Sequence, residues 1–152
     1  MKLDIILADQ AATERFARTL GNLLHAGDLV ALQGDLGAGK TTLARALIQS
    51  LNPDETEVPS PTFTLVQVYD SPKGPLAHLD LYRLSDSTEI YALGWDELRM
   101  GIMLVEWPER LGNLLPPQRI EVSLAYGQEE SQRQLTIKAD AERLAILKEI
   151  FG

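Results

Sequence analysis

In the first third of the chain, short apolar runs alternate with segments in which apolar residues recur at helical spacing. Residues 2–8 have the pattern of a short strand, and Asp9 follows them as a candidate helix N-cap. Apolar side chains then recur at helical spacing up to about residue 25. Residues 29–32 are continuously apolar, which is typical of a strand buried on both faces of a parallel sheet. A glycine-rich loop and a helix over residues 40–51 come next.

The middle of the chain reads as an irregular loop, a hairpin and an interrupted helix. Residues 52–62 are proline-rich and acidic, and predict the loop. Strands are predicted over 63–69 and 77–82, and the turn signals at 71–75 between them favour a hairpin. A helix is predicted over 86–99 with an interruption at Gly94.

The last third predicts a buried strand, two further strands and a closing helix. The buried strand covers residues 102–105 and is stopped by Pro108. Two strands follow over 119–126 and 134–139, and a helix then runs to Phe151. The pattern predicts an α/β fold: a mixed, partly parallel central sheet flanked by helices, with residues 1–152 forming one domain.

Composition and charge exclude several classes of protein. The 152 residues include no cysteine, so a disulfide framework and a thiolate metal site are both excluded. No apolar run approaches the roughly 20 residues needed to span a bilayer, and Asp4 interrupts the only apolar stretch near the amino terminus. We therefore expect a cytoplasmic protein without a signal peptide. The net charge of −8 argues against this chain binding a nucleic-acid backbone by itself.

Residues 34–41 match the phosphate-loop pattern G-x-x-x-x-G-K-[ST] without a mismatch. Glycines allow the loop to curl so that its amides converge on an anion, and the following helix directs its positive dipole end there. We expect Lys40 to reach the β- and γ-phosphates and the Thr41 hydroxyl to bind Mg²⁺. The alternative is a glycine-rich turn with a chance lysine, but the flanking strand and helix favour the nucleotide site. Its predicted binding residues are Gly34, Asp35, Leu36, Gly37, Ala38, Gly39, Lys40, Thr41 and Thr42.

Two acidic residues near strand ends are candidates for completing a metal site. Asp80 lies in a strand whose residues 78, 80 and 82 should share one face, and Glu106 directly follows the apolar run 102–105. For Asp80 the alternative is an exposed position on a hairpin. His78 could be a base or a metal ligand, although a structural histidine with its hydrogen bonds satisfied is the favoured interpretation. Thr62 could sense the γ-phosphate or simply begin a strand.

Together these motifs resemble the bacterial TsaE family, formerly called YjeE. The resemblance covers about residues 9–140, and its combination of motifs is far more specific than the phosphate loop alone. The matching segments are GDLGAGKTT at 34–42, SPTFTLV at 60–66, HLDLYR at 78–83, LG at 93–94 and VEWPE at 105–109.

The resemblance implies a weak, Mg²⁺-dependent ATPase that works in a complex with the TsaB and TsaD proteins. That complex forms threonylcarbamoyladenosine at tRNA adenosine 37, and ATP hydrolysis is expected to reset it between turnovers, with tRNA contacted only through the partners. By motif, Thr41 and Glu106 correspond to Mg²⁺ ligands. Asp80 corresponds to a supporting acid or water-orienting group that could also bind the metal. Lys40, Asp80 and Glu106 are the catalytic candidates.

Further roles come from the same resemblance. Thr62 corresponds to the γ-phosphate sensor, while Asp9 and Arg133 are the expected nucleotide contacts from the first helix and the carboxy-terminal strands. The segment 60–63 and the surroundings of Trp107 are expected to face TsaD.

Two other functions share the phosphate loop. A small-molecule kinase could use Asp80 or Glu106 as a base toward an acceptor hydroxyl. Such kinases usually add an arginine-rich lid, but only Arg83 and Arg99 lie between the two strand acids. A GTP-dependent switch usually carries an N-K-x-D segment, which this sequence lacks.

Overall fold

The computed structural model describes residues 1–34, 38–53 and 65–152. Its strands are β1 (Lys2–Leu7), β2 (Leu29–Gly34), β3 (Val66–Tyr69), β4 (Leu76–Asp80), β5 (Ile102–Glu106), β6 (Ile120–Tyr126) and β7 (Arg133–Lys138). Its α-helices are α1 (Gln10–Leu23), α2 (Lys40–Leu51), α3 (Trp95–Leu98) and α4 (Ala141–Phe151). Two 3₁₀ helices, Ser87–Leu93 and Pro108–Leu114, flank α3 and β5.

The strands form one mixed sheet in the order β1-β7-β6-β2-β5-β4-β3. The four central strands β6, β2, β5 and β4 are parallel to one another. Antiparallel strands complete both edges: β7 and β1 beyond β6, and β3 beyond β4. The predicted α/β class with a partly parallel sheet is therefore confirmed.

Two apolar layers cover the two faces of the sheet. Val30 and Leu32 of β2 pack with α1, α2 and α4, whereas Leu29 and Ala31 pack with α3 and the two 3₁₀ helices. All four side chains are buried. The prediction that residues 29–32 are buried on both faces is confirmed, whereas Gln33 and Gly34 at the carboxyl end of β2 are exposed.

Most element boundaries agree with the sequence prediction within two or three residues. Asp9 is the N-cap of α1, and its Oδ1 accepts a hydrogen bond from the Ala12 amide at 2.9 Å. The interruption at Gly94 is confirmed, because this residue has φ of 90°. The segment before Gly94 is a 3₁₀ helix rather than the α-helix we predicted. Pro108 ends β5 as expected but also begins a 3₁₀ helix that the sequence analysis missed.

The 3₁₀ helix Ser87–Leu93 begins with a capping box. The Asp86 side chain accepts from the Thr88 amide, and the Glu89 side chain accepts from the Asp86 amide. The Asp86 carboxyl is exposed, and its pKa is lowered first by the hydrogen bond from the Thr88 amide and then by the one from the Thr88 hydroxyl. The local sequence thus starts a helix even though its interior is not α-helical.

The predicted hairpin is confirmed between β3 and β4, and its turn is anchored to α1. Lys73 Nζ donates to the carbonyl oxygens of Gly21, Asn22 and Leu24 at 3.0, 2.9 and 2.7 Å. These carbonyls lie at the carboxyl end of α1, where the Gly21 carbonyl also accepts from the Leu24 amide. The ammonium group adds a charged donor there and complements the negative end of the helix dipole. The hairpin is thereby attached to the helical layer.

None of the helices in the described ranges is long and apolar enough to cross a membrane.

Candidate nucleotide-binding site

A strand that ends in a glycine and a helix that is capped by a glycine meet at the middle strand of the sheet. β2 ends at Gly34 and α2 begins at Lys40. Gly39, with φ of 105°, is the N-cap of α2 and has no side chain to accept from the first amides of that helix. A Cβ on Gly34 would lie 2.4 Å from the Leu124 carbonyl oxygen, so only glycine fits this position. Asp35, Leu36 and Gly37 lie outside the described residues.

Lys40 extends from the first turn of α2 onto an aromatic pair. Its Nζ lies 4.8 Å from the centre of the Trp107 ring, and the Trp107 ring in turn packs on Tyr82 at 4.9 Å. Trp107 has φ of 58°, an unusual conformation for a bulky residue, which turns the chain sharply after β5. The π face thus holds the ammonium group beside the end of β5. Thr41 and Thr42 occupy the same first turn of α2 and are half-buried.

Asp80 and Glu106 end two neighbouring parallel strands and are register partners. Both are buried, with 8% and 5% of their surfaces exposed. Asp80 Oδ1 accepts from the Tyr82 amide at 3.1 Å. Tyr82 lies beyond the end of β4 and is exposed, so our expectation that it shares the face of His78 and Asp80 was wrong. The alternative of an exposed hairpin position for Asp80 is also excluded.

His78 contacts the second of these acids. Its Nε2 lies 2.7 Å from Glu106 Oε2, and both side chains are almost inaccessible to solvent. His78 is 1% exposed, as a structural histidine would be, but in the part of the chain that the structure describes only one of its two ring nitrogens has a hydrogen-bond partner. Its contact with a candidate metal ligand was not expected from the sequence.

A small cavity opens beside the start of α2. Its volume is about 110 Å³, and both expected nucleotide contacts, Asp9 and Arg133, line it. Arg133 Nε donates to the Ala38 carbonyl oxygen at 3.2 Å, and its guanidinium lies 5.0 Å from the Tyr126 ring centre. The remaining lining residues are Gln10, Thr13, Gly39, Thr42, Leu124 and Ser131, together with Ala38.

Four of these lining residues were missed by the sequence analysis: Gln10, Thr13, Leu124 and Ser131. Leu124 belongs to β6. Gln10 directly follows the N-cap, and Thr13 lies one turn further along the same face of α1, so helical spacing from Asp9 could have indicated both. Ser131 comes from the β6–β7 connection, and no sequence signal placed it near α1.

The oxygen-bearing side chains at the strand ends suit Mg²⁺, which prefers hydroxyl, carboxylate and water oxygens. Thr41, Asp80 and Glu106 supply this donor set. No group of three or more histidine, cysteine or acidic side chains able to hold a metal occurs in ranges 1–34, 38–53 and 65–152. Magnesium bound through one or two carboxylates and substrate phosphates does not require such a group.

The comparison with known proteins gives the family. The family model described as "Threonylcarbamoyl adenosine biosynthesis protein TsaE" matches residues 7–135. The chain belongs to the TsaE family. Proteins named tRNA threonylcarbamoyladenosine biosynthesis protein TsaE resemble it closely. That of Rickettsia felis is 38% identical, covering 94% of this chain and 84% of its own length. That of a Nostoc species is 44% identical, with coverages of 85% and 82%.

A solved structure supports the same conclusion. The crystal structure of Bacillus subtilis YdiB superposes with a TM-score of 0.75 at 29% identity, covering 98% of this chain and 93% of YdiB. The TsaE family consists of P-loop NTPase-like proteins of tRNA threonylcarbamoyladenosine biosynthesis. All candidate site residues, from Asp9 to Arg133, lie within the matched range 7–135. Thr62 and the segment 60–63 fall in that range but outside the described residues.

Proposed function

We propose that this TsaE-family chain is an Mg²⁺-dependent ATP hydrolase needed for threonylcarbamoyladenosine formation at tRNA adenosine 37. One observation carries the proposal: Gly34 at the end of β2 and Lys40 at the start of α2 lie beside the buried, register-paired Asp80 and Glu106 at the ends of β4 and β5. In open α/β sheets, ligands bind at this carboxyl edge of the parallel strands.

Each side chain has a separate task in this proposal. The amides of the loop and of the first turn of α2 bind the phosphates, and Lys40 exchanges part of its contact with Trp107 for the β- and γ-phosphates. Thr41 and Glu106 bind Mg²⁺, which, when present, neutralises charge that develops on the phosphate oxygens. Asp80 supports the metal or orients the attacking water. Thr62 senses the γ-phosphate, and Asp35, Leu36 and Gly37 complete the loop.

The cavity beside α2 is the proposed site for the nucleoside part of ATP. Thr42 and Gly39 connect it to the phosphate loop, so one ligand can occupy both. Asp9 uses one carboxylate oxygen as the N-cap of α1, and Arg133 is held by the Ala38 carbonyl. Both side chains are therefore fixed in place at the cavity wall.

The kinase alternative finds no support in the described residues. Arg99 donates to the Gly27 carbonyl oxygen at 3.1 Å, just before β2 begins. This places it at the amino end of the parallel strands, away from the phosphate loop. Of the two arginines between Asp80 and Glu106, this leaves Arg83, and one arginine does not make an arginine-rich lid.

We further propose that the chain acts in the cytoplasm with TsaB and TsaD and resets their complex by hydrolysing ATP. The net charge of −8 suits a subunit that reaches tRNA only through partners. The test is reconstitution with TsaB, TsaD, threonylcarbamoyl-adenylate and tRNA, which measures modified adenosine per complex. We expect multiple turnovers with this chain and ATP, and about one turnover with the Lys40→Ala variant.

Lys148→Ala, at an exposed position near the end of α4, is the matched control and should support full turnover. Multiple turnovers that proceed equally well without this chain would reject the proposed role.

A further inference from the structure

The buried pair of His78 and Glu106 is unusual in its setting. His78 lies between Leu76 and Asp80 on the face of β4 that packs against α1 and α2. Its register partner is Leu104, which belongs to the apolar layer on that face. Burying a polar ring in such a layer costs free energy unless it is hydrogen-bonded, and a buried charged pair is weak evidence for stability. The histidine therefore calls for an explanation other than packing.

The geometry gives the histidine one partner, Glu106. His78 Nε2 lies 2.7 Å from Glu106 Oε2. A carboxylate only accepts hydrogen bonds, so the proposal requires the proton on Nε2, which then donates to Oε2. Nδ1 is buried, and within the described ranges it has no hydrogen-bond partner. A histidine kept for structure alone normally has both ring nitrogens satisfied.

The contact is diagonal across the parallel strands. Asp80 is the register partner of Glu106, whereas His78 pairs with Leu104, two residues earlier. The imidazole therefore approaches the carboxylate from the amino-terminal side, behind the strand ends where ligands bind. It engages Oε2, and among the described residues Oε1 accepts no hydrogen bond. A glutamate has three rotatable side-chain bonds, so a single short hydrogen bond from behind restricts its orientation.

We propose that His78 is a positioning residue: it fixes the Glu106 carboxylate through Oε2 and leaves Oε1 to bind the metal or its water. This inference rests on the proposed function, because Glu106 matters only if the chain hydrolyses Mg-ATP. Carboxylate ligands of metals are commonly held by such hydrogen bonds, and losing one typically lowers activity or metal affinity about 10- to 100-fold. His78 itself touches neither nucleotide nor metal.

The first experiment compares His78→Gln with His78→Asn in steady-state ATP hydrolysis. The amide nitrogen of glutamine can occupy the position of Nε2, whereas that of asparagine corresponds to Nδ1 and does not reach Glu106. We expect His78→Asn to lower kcat about 10- to 100-fold with KM for ATP within about threefold of wild type. His78→Gln should recover most of kcat. Equal activity of the two variants would overturn the proposal.

Leu104→Met is the matched packing control, because it alters the neighbouring register position without changing polarity. It should retain wild-type kcat. Urea unfolding of each variant separates loss of folding from loss of positioning, and the glutamine–asparagine comparison holds even if both variants are less stable than wild type.

A double variant tests whether His78 acts through Glu106. If it does, adding His78→Asn to Glu106→Gln lowers kcat by less than about twofold, because no carboxylate remains at position 106 for the histidine to position. A further 10-fold drop would mean that His78 acts independently. If wild type hydrolyses ATP, Glu106→Gln does not and His78→Asn still does, the positioning role of His78 is rejected and the proposed function stands. If wild type does not hydrolyse ATP, both the proposed function and the role of His78 are rejected.

A measurement without nucleotide or metal checks the geometry directly. Nitrogen NMR of the labelled imidazole rings should show the His78 proton on Nε2 in the free protein. Finding the proton on Nδ1 with Nε2 unprotonated would overturn the proposal, since no hydrogen bond could then be donated to Oε2.

Discussion

Lys40 is the charged side chain at the start of α2, and it rests on the ring of Trp107, with no carboxylate partner in ranges 1–34, 38–53 and 65–152. A cation over an aromatic face keeps its charge available to an incoming anion, because the ring does not neutralise it as an acid would. The backbone of Trp107 is turned by its positive φ immediately after Glu106. The same turn therefore ends β5 and places an aromatic face beneath the lysine.

Replacement of Lys40 tests the phosphate loop. We expect Lys40→Ala to abolish ATP hydrolysis, since the β- and γ-phosphates lose their point charge, and to leave the circular dichroism spectrum unchanged. Lys148→Ala should match wild type in both measurements. Full turnover in Lys40→Ala would reject the phosphate-loop assignment.

Replacement of Glu106 tests the metal site. Glu106→Gln preserves the shape of the side chain and an acceptor for His78, so the buried contact survives. We expect kcat for ATP to fall at least about 100-fold, the scale of losing a catalytic group. Glu149→Gln, at an exposed position on α4, is the control. A decrease of less than about threefold would show that Glu106 is only structural.

At the level of elements, the hairpin of β3 and β4 depends on a contact that crosses the fold. Lys73 in its turn closes the carboxyl end of α1 through three carbonyl oxygens, and Asn52 after α2 donates to the Asp70 carbonyl at 2.7 Å. The hairpin carries Asp80, so these attachments connect the helical layer with the strand that presents a candidate catalytic acid.

Removal of this attachment should lower stability. We expect Lys73→Met to decrease the free energy of unfolding by about 1–3 kcal/mol, because three carbonyls lose a charged donor. Urea denaturation followed by circular dichroism measures the change. Lys2→Met, at an exposed position at the start of β1, should differ from wild type by less than about 0.5 kcal/mol. Equal urea midpoints for Lys73→Met and Lys2→Met would contradict a stabilising role for the Lys73 contacts.

Helix type was the least predictable property of the elements. The sequence indicated a helix over residues 86–99 interrupted at Gly94, but the segment up to Leu93 is 3₁₀. Pro108 was interpreted only as a strand stop, although proline is also favoured in the first turn of a helix. Both segments are short, and a glycine limits α-helical hydrogen bonding in each: Gly94 follows the first helix and Gly112 interrupts the second. Packing on the sheet then decides the conformation.

For the whole molecule, nucleotide binding should couple to stability. The site joins residues from β2, α2, β4 and β5, so a ligand there binds the folded state only. Mg-ATP at about 100 times its Kd should stabilise the chain by about 2.7 kcal/mol, which raises Tm by about 5–10 °C for a domain of this size. Lys40→Ala should show a much smaller shift in the same thermal scan. An equal shift in both proteins would indicate binding elsewhere.

The sequence by itself determined the order of the elements, the buried strands, the N-cap at Asp9 and the phosphate-loop motif. These features depend on residues within a few positions of one another, where spacing reports directly on helix, strand or turn. Only the tertiary structure brought Asp80 beside Glu106, His78 onto Glu106 and Arg133 onto Ala38. The last two contacts join residues 28 and 95 positions apart. Such contacts follow from the order in which strands pair, and local polarity patterns do not encode that order.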